Sequence, residues 1–174
     1  MCPLFRRGVD QAFCVAGDAR ARVQKYSMRK SIFWAAIILT SAWSDTILVE
    51  GSSVTRTVTI KGKDVVKIEA VDNTLTILGQ GDILTLDGSD NRVTVKAALN
   101  GIVITGSSNT LQVVGPLHQL DVRGCDNKIT LDGPCDLIQY GGSNNHTRWL
   151  KRPGLSQPKV ERTGWDNEFQ VSNP

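Results

Sequence analysis

The chain has 174 residues, of which 40% are hydrophobic, 21% charged and 6% aromatic, with 16 glycines. That is one domain with enough apolar content for a core, and it excludes a disordered chain, an ordinary membrane protein and most multidomain enzymes. The net charge of +3 is unevenly placed: residues 1–44 hold seven Lys/Arg against two Asp/Glu, a charge of +5, and residues 45–174 hold thirteen against fifteen, a charge of −2. The basicity belongs to a leader, so a nucleic-acid partner is not expected for the remainder.

In chain order, Arg29 and Lys30 precede the uncharged run Ile32 to Thr40, and Ala42 and Ser44 place small residues ahead of a cut before Asp45. This is the three-part pattern of a secretory signal peptide, and the apolar run is about half of the ~20 residues a membrane-spanning helix needs. Residues 28–44 are read as the signal peptide. Residues 1–27 are an N-terminal extension, either upstream of the true start at Met28 or cleaved with the leader; an uncleaved anchor is the alternative. The expected location is periplasmic or secreted, with no stable membrane span after cleavage. Cys2 and Cys14 fall in the leader, and neither follows the apolar run as a lipid-anchored cysteine does. Cys125 and Cys135 bracket an expected strand whose extended length exceeds the ~7 Å Cα limit for a disulfide, so two separate thiols are favoured over a bridge.

Residues 45–174 repeat. Asn73, Asn91, Asn109, Asn127 and Asn145 are spaced by 18 residues throughout. Each of the first four is followed by one phrase: Thr74-Leu75-Thr76-Ile77, Arg92-Val93-Thr94-Val95, Thr110-Leu111-Gln112-Val113 and Lys128-Ile129-Thr130-Leu131. Upstream stand the apolar columns Val66, Leu84, Ile102, Leu120, Ile138 and Ile68, Leu86, Ile104, Val122, Tyr140. Two small-residue columns share the period: Gly88, Gly106, Gly124 and Gly142 with Ala70, and Gly79, Ala97, Gly115 and Gly133.

Apolar residues alternating with period two mark half-buried strands, two short ones per copy. A meander of hairpins is one solution. A constant 18-residue period fits better if each copy is one coil whose strands pair in parallel with their counterparts one coil away, ~4.8 Å apart. The expected fold is an all-β parallel solenoid, β-helix or β-roll, of about six 18-residue coils, giving a rod ~30 Å long. The asparagines are expected to adopt the left-handed conformation at the turn and to form a stacked amide ladder, with Gly88, Gly106, Gly124 and Gly142 easing the same turn.

The ends depart from the pattern. Thr57-Val58-Thr59-Ile60 resembles the second strand but is displaced by one residue and lacks the asparagine, and Asn167 comes 22 residues after Asn145. Residues 151–158 form a loop insertion, and Trp149, Trp165 and Phe169 are expected to cap the core; a small aromatic binding patch is the alternative.

The phrases Gly88-Ser89-Asp90-Asn91-Arg92-Val93-Thr94-Val95 and Gly106-Ser107-Ser108-Asn109-Thr110-Leu111 resemble the repeats of the bacterial exported proteins grouped as the domain of unknown function 3060 family. The resemblance covers roughly residues 47–172. It implies an envelope or secreted location and carries no established activity.

No catalytic, cofactor or metal residue is assigned. His118 and His146 lack carboxylate or cysteine neighbours at ligand spacing in the sequence. The turn column Asp72, Asp90, Asp126 with Ser108 and Asn144 lacks the GGxGxD phrase of calcium-binding β-rolls. Arg148, Lys151 and Arg152 read as a solvated loop or a weak contact to anionic lipid or glycan. Thr76, Thr94 and Thr130 form an outward column interrupted by Gln112, beside Thr74 and Thr110, whose column Arg92 and Lys128 interrupt. The expected function is a non-enzymatic binding or structural module of the bacterial cell envelope, presenting polar rungs to a protein or polysaccharide partner. The alternatives are a small carbohydrate-active enzyme or a cation or ligand binder using the turn acids, with ice binding third.

Overall fold

In the computed structural model the described residues are 25–26 and 44–173, so Cys2, Cys14 and nearly all of the leader reading lie outside them. A short strand, β1 (Lys25–Tyr26), pairs antiparallel with β2 (Thr46–Ser52). The other strands follow as β3 (Thr55–Ile60), β4 (Val65–Val71), β5 (Thr74–Gln80), β6 (Ile83–Ser89), β7 (Arg92–Ile104) and β8 (Thr110–Val114). The last six are β9 (Leu117–Val122), β10 (Lys128–Asp132), β11 (Cys135–Tyr140), β12 (His146–Leu150), β13 (Lys159–Arg162) and β14 (Glu168–Ser172).

Every pairing from β2 to β14 is parallel and joins a strand to its counterpart one coil on: Val66 opposite Leu84, Leu84 opposite Ile102, Leu120 opposite Ile138. One face is built from β2, β4, β6, the second half of β7, β9, β11 and β13. The other is built from β3, β5, the first half of β7, β8, β10, β12 and β14. Among the described residues the coils number seven, one more than the repeat count suggested, because the displaced first copy and the post-insertion copy both complete full turns. In the first coil Thr57 lies opposite Thr76 and Val58 opposite Ile77, a spacing of 19. Arg56 therefore takes the inward position that Leu75 holds in the next coil.

Between the two faces lies one core, filled by Leu84, Leu86, Val93, Val95, Ile102, Ile104 and their equivalents. No coil buries its apolar face without the coils above and below, which is the physical basis of a repeat fold's cooperativity. The ladder at the corner before the second strand is fully hydrogen-bonded. The Asn109 Oδ1 accepts from Asn91 N (3.0 Å) and Asn91 Nδ2 (3.1 Å), while Asn109 Nδ2 donates to Gly88 O (3.0 Å) and to Asn127 Oδ1 (3.1 Å). Asn73, Asn91, Asn127 and Asn145 are buried in the same column, and Asn167 extends it by donating to Gly142 O at 2.8 Å and accepting from Asn145 N at 3.1 Å.

Two sequence expectations about this corner are corrected. The left-handed residue is not the asparagine but the one before it: Ser53, Asp72, Asp90, Ser108, Asp126, Asn144 and Asp166 all have φ between 53° and 60°. Short polar side chains tolerate that region best, which explains the column's composition without a ligand. Nor do Gly106, Gly124 and Gly142 serve by adopting positive φ. A Cβ on any of them would collide with the carbonyl oxygen of the glycine one coil earlier, the same oxygen that receives an asparagine Nδ2.

The expected C-terminal cap is also corrected. Trp149 is fully buried within the sixth coil, its indole donating to Gly133 O at 3.0 Å. Phe169 is a half-buried inward residue of the seventh coil. Trp165 is 81% exposed and sits on the outer corner beside Ser143, so it covers no core. Cys125 and Cys135 are separate thiols, held apart by the extended strand β10 between them.

Candidate functional site: the two outer faces

Because strands pair in register, side chains 18 residues apart become neighbours, and the outer faces acquire charge patterns that the linear sequence scatters. The face of the first strands carries Glu50, Glu69, Asp87, Asp121 and Glu161 against Lys67 and Lys159, with Arg123 at its edge. The opposite face carries Arg92, Lys96, Lys128, His146 and Arg148 against Asp132 and Glu168. A chain that is nearly neutral after the leader thus has an acidic surplus on one face and a basic surplus on the other, with cations on both.

On the acidic face a polar ladder runs across β9, β11 and β13. Gln119 Nε2 donates to Gln139 Oε1 at 2.7 Å, and Gln139 Nε2 donates to Glu161 Oε2 at 2.7 Å. Lys159 reaches the other oxygen of Glu161 at 2.6 Å. The Lys159 ammonium and the Gln139 amide together hold the Glu161 carboxyl below its usual range. Arg123 Nε and Nη2 both bond Asp121 Oδ2, at 2.9 and 2.5 Å, and Asp121 is buried beneath that guanidinium. Asp121, Arg123, Gln139, Glu161 and Thr163 line an open cleft of about 360 Å³. On the basic face Lys128, Thr130, His146, Arg148, Gln170 and Ser172 line a second cleft of about 470 Å³.

The structure places the sequence candidates as follows. His118 and His146 stand on the surface, and coil stacking gives each a carboxylate that sequence spacing had hidden: Asp136 at 2.7 Å for His118 and Glu168 at 2.7 Å for His146. Asp90 and Asp126 occupy corners two coils apart, with the Ser108 corner between them. Among the described residues no group of three or more His, Cys, Asp or Glu side chains stands close enough to hold a metal ion. The expected Arg148, Lys151 and Arg152 cluster is split. Arg148 lies on the strand face bonded to Ser172 (2.9 Å), and Arg152 turns back to grip Asp132 with two bonds of 2.7 and 2.8 Å. Thr57, Thr76, Thr94 and Thr130 share one outward column, broken by Gln112 and Arg148. Cys135 is buried, which pushes its thiol up to about 11 and makes it a poor nucleophile at neutral pH.

No helix among the described residues is long and apolar enough to cross a membrane. No curated protein and no solved structure matches the chain. The family model described as "Protein of unknown function (DUF3060)" matches residues 68–116 and 104–166, two overlapping stretches of the same stacked coils. With more than half its length matched, and with the asparagine ladder and glycine column inside the matched region, the chain belongs to the DUF3060 family.

Proposed function

We propose that this protein is an exported, non-enzymatic binding module of the bacterial cell envelope whose acidic outer face holds an extended polysaccharide. The observation that carries this reading is the ladder Gln119–Gln139–Glu161 beside the Asp121–Arg123 pair. Carboxylates, side-chain amides and a guanidinium held in fixed orientation are the groups that hydrogen-bond sugar hydroxyls, and their rungs repeat every ~4.8 Å along the rod. Both clefts are shallow and polar rather than enclosing and apolar, which suits a long partner crossing several rungs better than a small ligand. Export follows from the leader pattern, and the mature chain begins at Asp45.

Capture of envelope material on tagged protein tests the reading. Native protein is expected to retain a polysaccharide, and an Arg123→Ala/Gln139→Ala variant to lose it with unchanged circular dichroism. Equal capture by both proteins refutes the acidic face as the site. Loss of capture on substituting Asp90 and Asp126 together, with folding intact, would favour the turn-acid enzyme or ligand binder instead.

A further inference from the structure

Among the described residues, β13 pairs only with β11 and β14 only with β12, so the seventh coil presents two unpaired strand edges. The direction of the free backbone groups follows from the bonds already made. Glu168 N donates to Asn145 O, and Ser172 O accepts from Lys151 N, so residues 168, 170 and 172 face β12. The N–H and C=O of Phe169 and Val171 therefore point out of the open edge. On β13, Thr163 N donates to Tyr140 O, which turns the backbone groups of Val160 and Arg162 outward in the same way. The inward side chains of this last rung are only partly covered: Val171 is 45% exposed, Val160 and Phe169 are half-buried, and Arg162, in register with the buried Tyr140, is exposed.

Among the described residues, the insertion that follows β12 does not cap this rung. The insertion 151–158 folds back along the opposite corner, where Arg152 grips Asp132 and where Pro153 and Leu155 lie against Gly133 and Pro134. What the rung lacks is a partner offering two strand edges at the same separation as its own, with apolar groups between them.

We propose that the seventh coil is a self-association surface on which two copies of this chain join end to end about a two-fold axis, β13 and β14 each pairing antiparallel with their own counterpart. A second copy meets the geometric demand by construction, because its end has the same cross-section, and the contact is isologous and closes at two chains. The charges agree. Antiparallel pairing centred on Val160 makes the two Val160 residues a hydrogen-bonded pair and sets Lys159 of each copy opposite Glu161 of the other. Both side chains are outward and exposed, so each lysine shares two carboxylates. The dimer doubles the rod to fourteen coils and buries Phe169 and Val171.

Sedimentation velocity on the full chain over a range of concentrations tests this. The native protein is expected to reach twice the monomer mass. Lys159→Glu faces two pairs of like charges across the axis and is expected to weaken association roughly tenfold at low salt, a shift that the double variant Lys159→Glu/Glu161→Lys restores. Val171→Pro removes an outward N–H without touching the β12 ladder and is expected to give a monomer; if it unfolds, Val171→Lys makes the same test through the apolar contact. Thr94→Lys, on the side of the rod, is expected to leave the mass unchanged. A native monomer at all concentrations, an open-ended polymer, or a dimer indifferent to the charge swap would each overturn the proposal.

Discussion

Replacing Asn109 by leucine perturbs the ladder at its centre, between two intact coils on either side. The side chain makes four hydrogen bonds, of 3.0 to 3.1 Å, in a buried column. Their loss is unequal. Gly88 O keeps the bond from Ser107 N, Asn91 Nδ2 keeps Ala70 O, and Asn127 Oδ1 keeps Asn109 N. Asn91 N alone is left buried without a partner. An orphaned buried donor costs about 1–3 kcal/mol and each lost bond between otherwise satisfied groups about 0.5–1.5 kcal/mol, while the larger apolar side chain returns about 1–2 kcal/mol if it fits. The net expectation is a loss of about 3 kcal/mol, a large share of a typical domain stability of roughly 5–15 kcal/mol. For a domain of this size that lowers Tm by about 10–15 °C, readable by differential scanning calorimetry at fixed scan rate. A Tm within about 2 °C of native would refute the claim that the asparagines are structural hydrogen-bond connectors between coils.

Three further outcomes follow from the packing. Gly106→Ala is expected to cost more than about 3 kcal/mol or to prevent folding, because its Cβ meets the Gly88 carbonyl, whereas Gly101→Ala, with only Ile83 Cγ1 at 3.8 Å, stays within about 1 kcal/mol of native in urea unfolding. Thr147 stands where other coils place Leu75, Val93, Leu111 or Ile129, with its buried hydroxyl beside that of Tyr140, so Thr147→Val, which strands the phenol, is expected to cost about 1 kcal/mol; a gain of stability would show that the two hydroxyls do not bond. The Cys135 thiol, raised by burial from 9.0 to about 11, stays protonated in the folded chain while the unfolded chain ionises. A raised acid of this kind stabilises the fold below pH 9, and that contribution, about 2–3 kcal/mol, drains away as pH rises from 9 to 11. Cys135→Ala is expected to lack that portion of the alkaline decline in a pH series of urea midpoints.

The 18-residue period was legible because each coil repeats the same burial problem: Val66, Leu84, Ile102 and Leu120 solve it identically, so the strands and the core could be assigned residue by residue. What the period could not show is what happens where it breaks. Arg56 enters an inward position only because the first coil is one residue longer, and Trp165 stands outside because the corner re-forms after the insertion and gives it the outer position of Ser89, Ser107, Cys125 and Ser143. The corner chemistry was misattributed for a related reason: neighbouring columns share the turn signature, and only backbone geometry separates the left-handed Asp90 from the stacked Asn91. The outer faces were least legible. Lys128 and His146 are 18 residues apart in sequence and adjacent in space, as are His118 and Asp136. Charge clustering on a solenoid is therefore a property of register, and reading it requires folding the sequence onto its own period first.

Register is also the premise of the polysaccharide reading and of the end-to-end dimer. Thr94, Gln112 and Thr130 lie on three successive rungs of one outer column. With Cys125 replaced by the serine that the same corner carries at Ser89, Ser107 and Ser143, and the leader cysteines likewise replaced, nitroxide labels on Thr94→Cys and Thr130→Cys sit two rungs apart. Continuous-wave electron paramagnetic resonance on frozen protein is expected to show strong dipolar broadening corresponding to a backbone separation of about 10 Å. Spectra identical to the sum of the two singly labelled proteins would contradict the parallel, in-register stack.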